Sequence, residues 1–146
     1  MRQSNESVTM LNDIYQAAGM GAQGCELLLG KVEDTQFSDN LRSYSERYNQ
    51  IKNEAAEILS ANGETPKDAG VLEKSRLWMG VQLNTLIDKT PSHMAEMLIQ
   101  GSTMGVIQGV KHKNTHPQAD QQCRDLENRF LSLQQEHIDD MKQFLS

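Results

Sequence analysis

The sequence predicts an all-α protein, a ferritin-like four-helix bundle with a helical crossover between two hairpins. Three observations carry that expectation. Apolar residues recur at alternating spacings of three and four through long segments. Short polar turns with capping residues separate the first segment from the second and the last two from each other. Residues 62–89, between the two pairs, are long enough to carry the chain along a bundle. A five-helix up-and-down bundle, with 71–88 as a full member, is the alternative that segment lengths leave open.

The first helix is predicted over 8–33, capped by Ser7 or Thr9, with a stripe of Leu11, Ile14, Ala18, Gly21, Cys25, Leu28 and Val32. Its middle is small: Ala17, Ala18, Gly19, Gly21, Ala22, Gly24. Each glycine costs a helix about 1 kcal/mol relative to alanine, so a closely packed neighbour is the expected compensation. The second helix, over 37–61, carries Phe37, Leu41, Tyr44, Tyr48, Ile51, Ala55 and Ile58. Thr35 is its expected cap, and Asn62-Gly63 stops it.

A segment over 71–88 has a looser pattern around Leu72, Trp78, Met79, Leu83, Leu86 and Ile87. Thr90 as cap and Pro91 in the first turn then start a helix over 91–113. Gly101, Gly105 and Gly109 make a smooth strip along it, a contact surface either inside the bundle or at a dimer seam. After the turn Asn114-Thr115-His116-Pro117, the last helix, over 118–145, places Cys123, Leu126, Phe130, Leu133, Met141 and Phe144 on one stripe. His137 and Asp140 occupy the two slots on that stripe that are not apolar.

Composition narrows the function classes. The chain of 146 residues is read as one domain, 1–146, with room for a core. Fourteen basic against 20 acidic residues give a net charge of -6, which argues against a nucleic-acid surface. Cys25 and Cys123 both sit on apolar stripes and read as buried, reduced thiols. No signal peptide and no transmembrane run are visible, so a cytoplasmic setting is expected. His112 and His116, near the last turn, are given no role.

The stretches Leu11–Val32, Trp78–Lys89 and above all Ser92–Gln108 (SHMAEMLIQGSTMGVIQ) resemble uncharacterised ferritin-like proteins of spore-forming and related bacteria, nearest to DUF2383-like proteins. The resemblance implies a fold and an unassigned family, and brings no established activity with it.

A two-metal site of the ferritin type needs a carboxylate from each of two helices and a Glu-x-x-His pair from each of the other two. No Glu-x-x-His occurs in the chain, and Gln134 stands where His137 would need its carboxylate partner. A reduced site is the remaining option. With the last turn centred near Thr115, His93 falls level with His137, and Glu26, Tyr44 and Glu96 at similar heights. Glu26, His93, Glu96 and His137 would hold one Fe, Mn or Zn ion by mixed nitrogen and oxygen ligation. The other reading is an internal polar network in which Tyr44 and Asp140 serve His137. The functions that follow are a non-enzymatic bundle, structural or stress- or sporulation-related and expected to be a homo-oligomer, or a degenerate carboxylate/histidine metalloprotein. A small-molecule binder, suggested by eight methionines, is a third.

Overall fold

Three of the four described helices begin where a polar side chain takes up a free backbone N–H. Helix α1 spans Asn5–Leu29 and is capped by Ser4, whose Oγ accepts from the Ser7 N–H at 3.2 Å. Helix α2 spans Thr35–Ala61, with Asp34 accepting from the Phe37 N–H at 2.8 Å. Helix α3 spans Pro91–Thr115, capped by Thr90 onto the His93 N–H at 3.2 Å with Pro91 in its first turn. Helix α4 spans Gln121–Met141 and ends in a 3-10 turn, Lys142–Phe144. This computed structural model describes residues 4–67, 80 and 86–146. Most of the helix expected over 71–88 lies outside the described residues; 86–88 are not helical.

Two boundaries differ from expectation for a physical reason. The caps of α1 and α2 are Ser4 and Asp34 rather than Ser7 or Thr9 and Thr35. The Ser7 hydroxyl has another task, accepting from the Asp120 N–H at 2.7 Å, while Glu6 accepts from the Gln118 N–H at 2.5 Å. Those bonds tie the α3–α4 connection to the start of α1. They take N–H groups out of any helix, so α4 begins at Gln121 instead of 118.

The same contacts fix the topology. The start of α1 meets the start of α4 through Ser7 and Asp120, and the end of α3 through Asp13 and His112. Helix α2 runs antiparallel to α4, since Tyr44 reaches Asp140 and Glu54 reaches Arg129. Helix α3 runs antiparallel to α4 from Ser92 beside Ser146 to Lys113 beside Asn128. Helices α1 and α4 therefore point one way, and α2 and α3 the other. Helix α3 starts at the end of the bundle where the first hairpin turns, and α2 finishes at the opposite end. That order of the four described helices is the one a ferritin-like bundle uses.

The core is the sum of the four stripes. It includes Leu11, Ile14, Ala18 and Cys25 of α1, Phe37, Leu41, Ile51 and Ala55 of α2, Met94 and Ala95 of α3, and Cys123, Leu126, Phe130 and Met141 of α4. Phe37 and Phe144 close one end edge to face, with ring centroids 4.8 Å apart. The small middle of α1 has the expected bulky neighbour. A Cβ on Gly21 would lie 3.0 Å from the Tyr48 ring, so the missing side chain makes room for that phenol. No helix among the described residues is long and apolar enough to cross a membrane.

Candidate functional site

Polar side chains enter the bundle at two levels of α4. The first is built on His137, which is 1 % exposed. Tyr48 of α2 lies 2.8 Å from its Nδ1, and Tyr44 of the same helix stacks on the ring at a centroid distance of 4.0 Å. Burial, opposed by the charge of Asp140, pushes the imidazole down to about 4, so it is neutral at pH 7. Burial also raises the Tyr48 phenol well above its ordinary range, with Ser102 of α3 facing it. Each buried ring thus keeps its uncharged form and uses the other as partner. His137 Nε2 and Gln134 Oε1 have no hydrogen-bond partner among the described residues.

From this layer a polar path leads to the surface. The Tyr44 hydroxyl donates to Asp140 and, at 3.3 Å, to Glu136. Arg47 binds Glu136 and lies over the Tyr44 ring, 5.3 Å from its centroid. The Arg47 hydrogen bond holds the Glu136 carboxyl below its usual range. Beside this pair a cleft of about 380 Å³ opens between α2 and α4, with Ile51 and Leu133 below and Arg47 and Arg129 among its walls.

The expected metal donors take different places. Glu26 is exposed and accepts from Ser45 at 3.2 Å and Asn49 at 3.5 Å, on the outer side of the α1–α2 hairpin. Glu96 is exposed and His93 half-buried. His137 does not meet them, because the register between α3 and α4 is not centred on Thr115. Gly105 lies against Gln134, Gly109 against Leu131, and Ser92 against Ser146. That register puts Ser102 near the level of His137. His93 is nine residues away along α3, roughly 13 Å at the rise of a helix. Among the described residues no three His, Cys, Asp or Glu side chains converge as a metal site would require. Tyr44 and Asp140 do join the His137 layer as a network, with Tyr48 as the partner that the heptad reading missed.

The glycine strip divides. A Cβ on Gly105 would collide with the Gln134 amide, and one on Gly109 would lie 2.6 Å from Leu131, so both are used inside the bundle. Gly101 has nothing within 4 Å of its Cβ position.

The second polar level was absent from the sequence reading. Glu127, also 1 % exposed, is raised to about 7 by burial first and by the charge of Asp13 second, while Lys113 acts the other way. Asp13 is itself raised by burial, and its Oδ2 lies 3.4 Å from His112 Nδ1. The signal was present: Cys123, Glu127, Phe130, Gln134, His137 and Met141 form a second unbroken three-four stripe beside the apolar one, and all six are buried.

Fold and site thus define an all-α bundle of ferritin-like topology with buried polar layers. The chain matches no family model and no curated protein sequence. Among solved structures it is similar to one described as the crystal structure of a DUF305 fragment from Deinococcus radiodurans. The TM-score is 0.79 at 10% sequence identity, covering 98% of this chain and 97% of that one. At that identity the likeness is one of fold.

Proposed function

We propose that this protein is a non-enzymatic helical bundle with a structural role, in which His137 and its tyrosines hold the helices in register. One observation carries the reading: in the His137 layer the aromatic and acidic groups engage each other. His137 is matched through Nδ1 to Tyr48 and by stacking to Tyr44, and Tyr44 to Asp140 and Glu136. A neutral imidazole between two protonated phenols has neither an activated nucleophile beside it nor a carboxylate bridge for a second ligand. Kinship with the DUF2383-like ferritin-like proteins, with a stress or sporulation setting, belongs to the same proposal. Its support is the long Ser92–Gln108 stretch and the bundle topology.

The rival, a degenerate metalloprotein using Fe, Mn or Zn, gains no support from where Glu26, His93 and Glu96 lie. Metal analysis of protein purified without added metal or a nickel-affinity step tests the choice. The expected result is no near-stoichiometric transition metal. Stoichiometric iron, manganese or zinc that disappears in His137→Ala would overturn the proposal. Light scattering on the same sample reads the expected homo-oligomer, which cannot use Gly105 and Gly109 as its seam because α4 already covers them.

A further inference from the structure

Glu127 presents a problem that the His137 layer does not. Its carboxyl is packed at the point where α1, α3 and α4 meet. The α3 backbone lies over it at Gly109, whose Cβ position is 3.7 Å from Glu127 Oε1. Helix α1 brings a second acid, Asp13, to the same corner, and its charge raises Glu127 further.

Counter-charge at this corner comes from α3. His112 stands 3.4 Å from Asp13, His116 acts on Asp13 from one turn further on, and Lys113 acts on Glu127. Lys113 also serves Asn128, to which its Nζ donates at 2.7 Å. Among the described residues, α2 adds no charged group that acts on either acid.

We infer that Glu127, buried beneath Gly109 with Asp13 as a second acid at the same corner, is a pH-sensitive latch that holds the C-terminal half of α3 onto α1 and α4 in mild acid and loosens it above neutrality. In mild acid a protonated Glu127 sits neutral under Gly109. As pH rises, Glu127 gains a charge beneath a mid-helix backbone whose amides are already bonded within α3. That charge weakens the seam. Opening lets water reach the two carboxylates, and this is the direction in which their ionisation drives it.

The device does not depend on the structural role proposed above. It is read by native-state hydrogen exchange of the full chain, following the amides of 109–113 at pH 6 and pH 8, each corrected for its intrinsic rate. Protection in the unaltered protein is expected to fall by about tenfold, one unit's worth of proton linkage, and by less than about twofold in Glu127→Gln. Equal protection at the two pH values, or the same fall in Glu127→Gln, would overturn the inference. An NMR titration of the Glu127 side-chain carboxyl in the unaltered chain needs no variant to fold. A midpoint above pH 6 is expected, and one below about pH 5.5 would equally overturn it.

Discussion

His137 and Glu127 both point inward from α4, are buried to the same extent, and resolve the cost of burying an ionisable group in opposite ways. His137 gives up its charge, pushed down to about 4, and is repaid by a phenol at 2.8 Å and a stacked ring. Glu127 is pushed up to about 7 and has a second acid as its neighbour. One layer is settled across the physiological range, and the other is poised within it. A buried polar residue stabilises a bundle when its neutral form has partners, and makes it condition-dependent when it does not.

The largest expected effect exposes this contrast through proton linkage. His137 is held below its ordinary value of 6.5 in the folded chain, so its contribution is present above pH 6.5 and is lost as pH falls towards 4. Glu127 is held above its ordinary value of 4.5, so its contribution is complete below pH 4.5 and is lost as pH rises through 7. Each amounts to roughly 3 kcal/mol, taking 1.36 kcal/mol per unit. Between about pH 4.5 and 6.5 the two slopes oppose each other and nearly cancel. Denaturant unfolding should therefore show Glu127→Gln gaining stability over the unaltered protein as pH rises. His137→Phe should gain relative to it as pH falls. Parallel curves for all three proteins would mean that neither group is held as described.

How much of this was legible in the sequence follows from what each feature depends on. The positions of the four described helices and the smooth interior of α1 are written in local spacing and caps, and were readable, whereas segment lengths left the order of the hairpins open between two bundles. The turn at Thr90-Pro91 is the clearest case, because cap and proline both act within one helical turn. The register between α3 and α4 was not readable. It depends on Glu6 and Ser7 of α1 binding the backbone of Gln118 and Asp120, a contact between distant parts of the chain. An error of nine residues there set His137 level with His93, where the fold sets it level with Ser102. Glu127 was overlooked for a different reason. A search for apolar residues follows Leu126 and Leu133, and the polar stripe next to them is invisible to it although it fits the helix equally well.

The register itself can be broken at Gly105. Helix α3 approaches α4 there closely enough that any side chain would meet the Gln134 amide. Gly105→Leu should cost roughly 1–3 kcal/mol through overpacking. An unchanged melting temperature would contradict the close approach of α3 and α4 at the His137 level.

A smaller loss should follow Tyr48→Phe, which keeps the ring against Gly21 and Phe130 but leaves His137 Nδ1 without its phenol. One unsatisfied buried nitrogen costs about 1–2 kcal/mol. The double variant Tyr48→Phe/His137→Phe should lose less than the sum of the single losses, because neither group then remains to be satisfied. Strict additivity in denaturant melts would show that the two rings are neighbours without being partners.

The smallest effect has the opposite sign and concerns the third glycine of the strip. Gly101 lies in the helical interior of α3, and nothing comes within 4 Å of where its Cβ would stand. Alanine there costs no packing and removes backbone freedom from the unfolded chain, so Gly101→Ala should stabilise by about 0.5–1 kcal/mol. The same substitution at Gly109 should not, because its Cβ would lie 2.6 Å from Leu131. The pair of variants separates the two uses of glycine along one helix face, close approach to α4 at Gly109 and open space at Gly101. It also asks whether that space is open in solution. If Gly101→Ala lowers the melting temperature, and the loss grows with protein concentration along with a fall in assembled mass, a second copy occupies the space and the outer end of the strip is the seam of a homo-oligomer. A gain in stability at every concentration leaves Gly101 facing water.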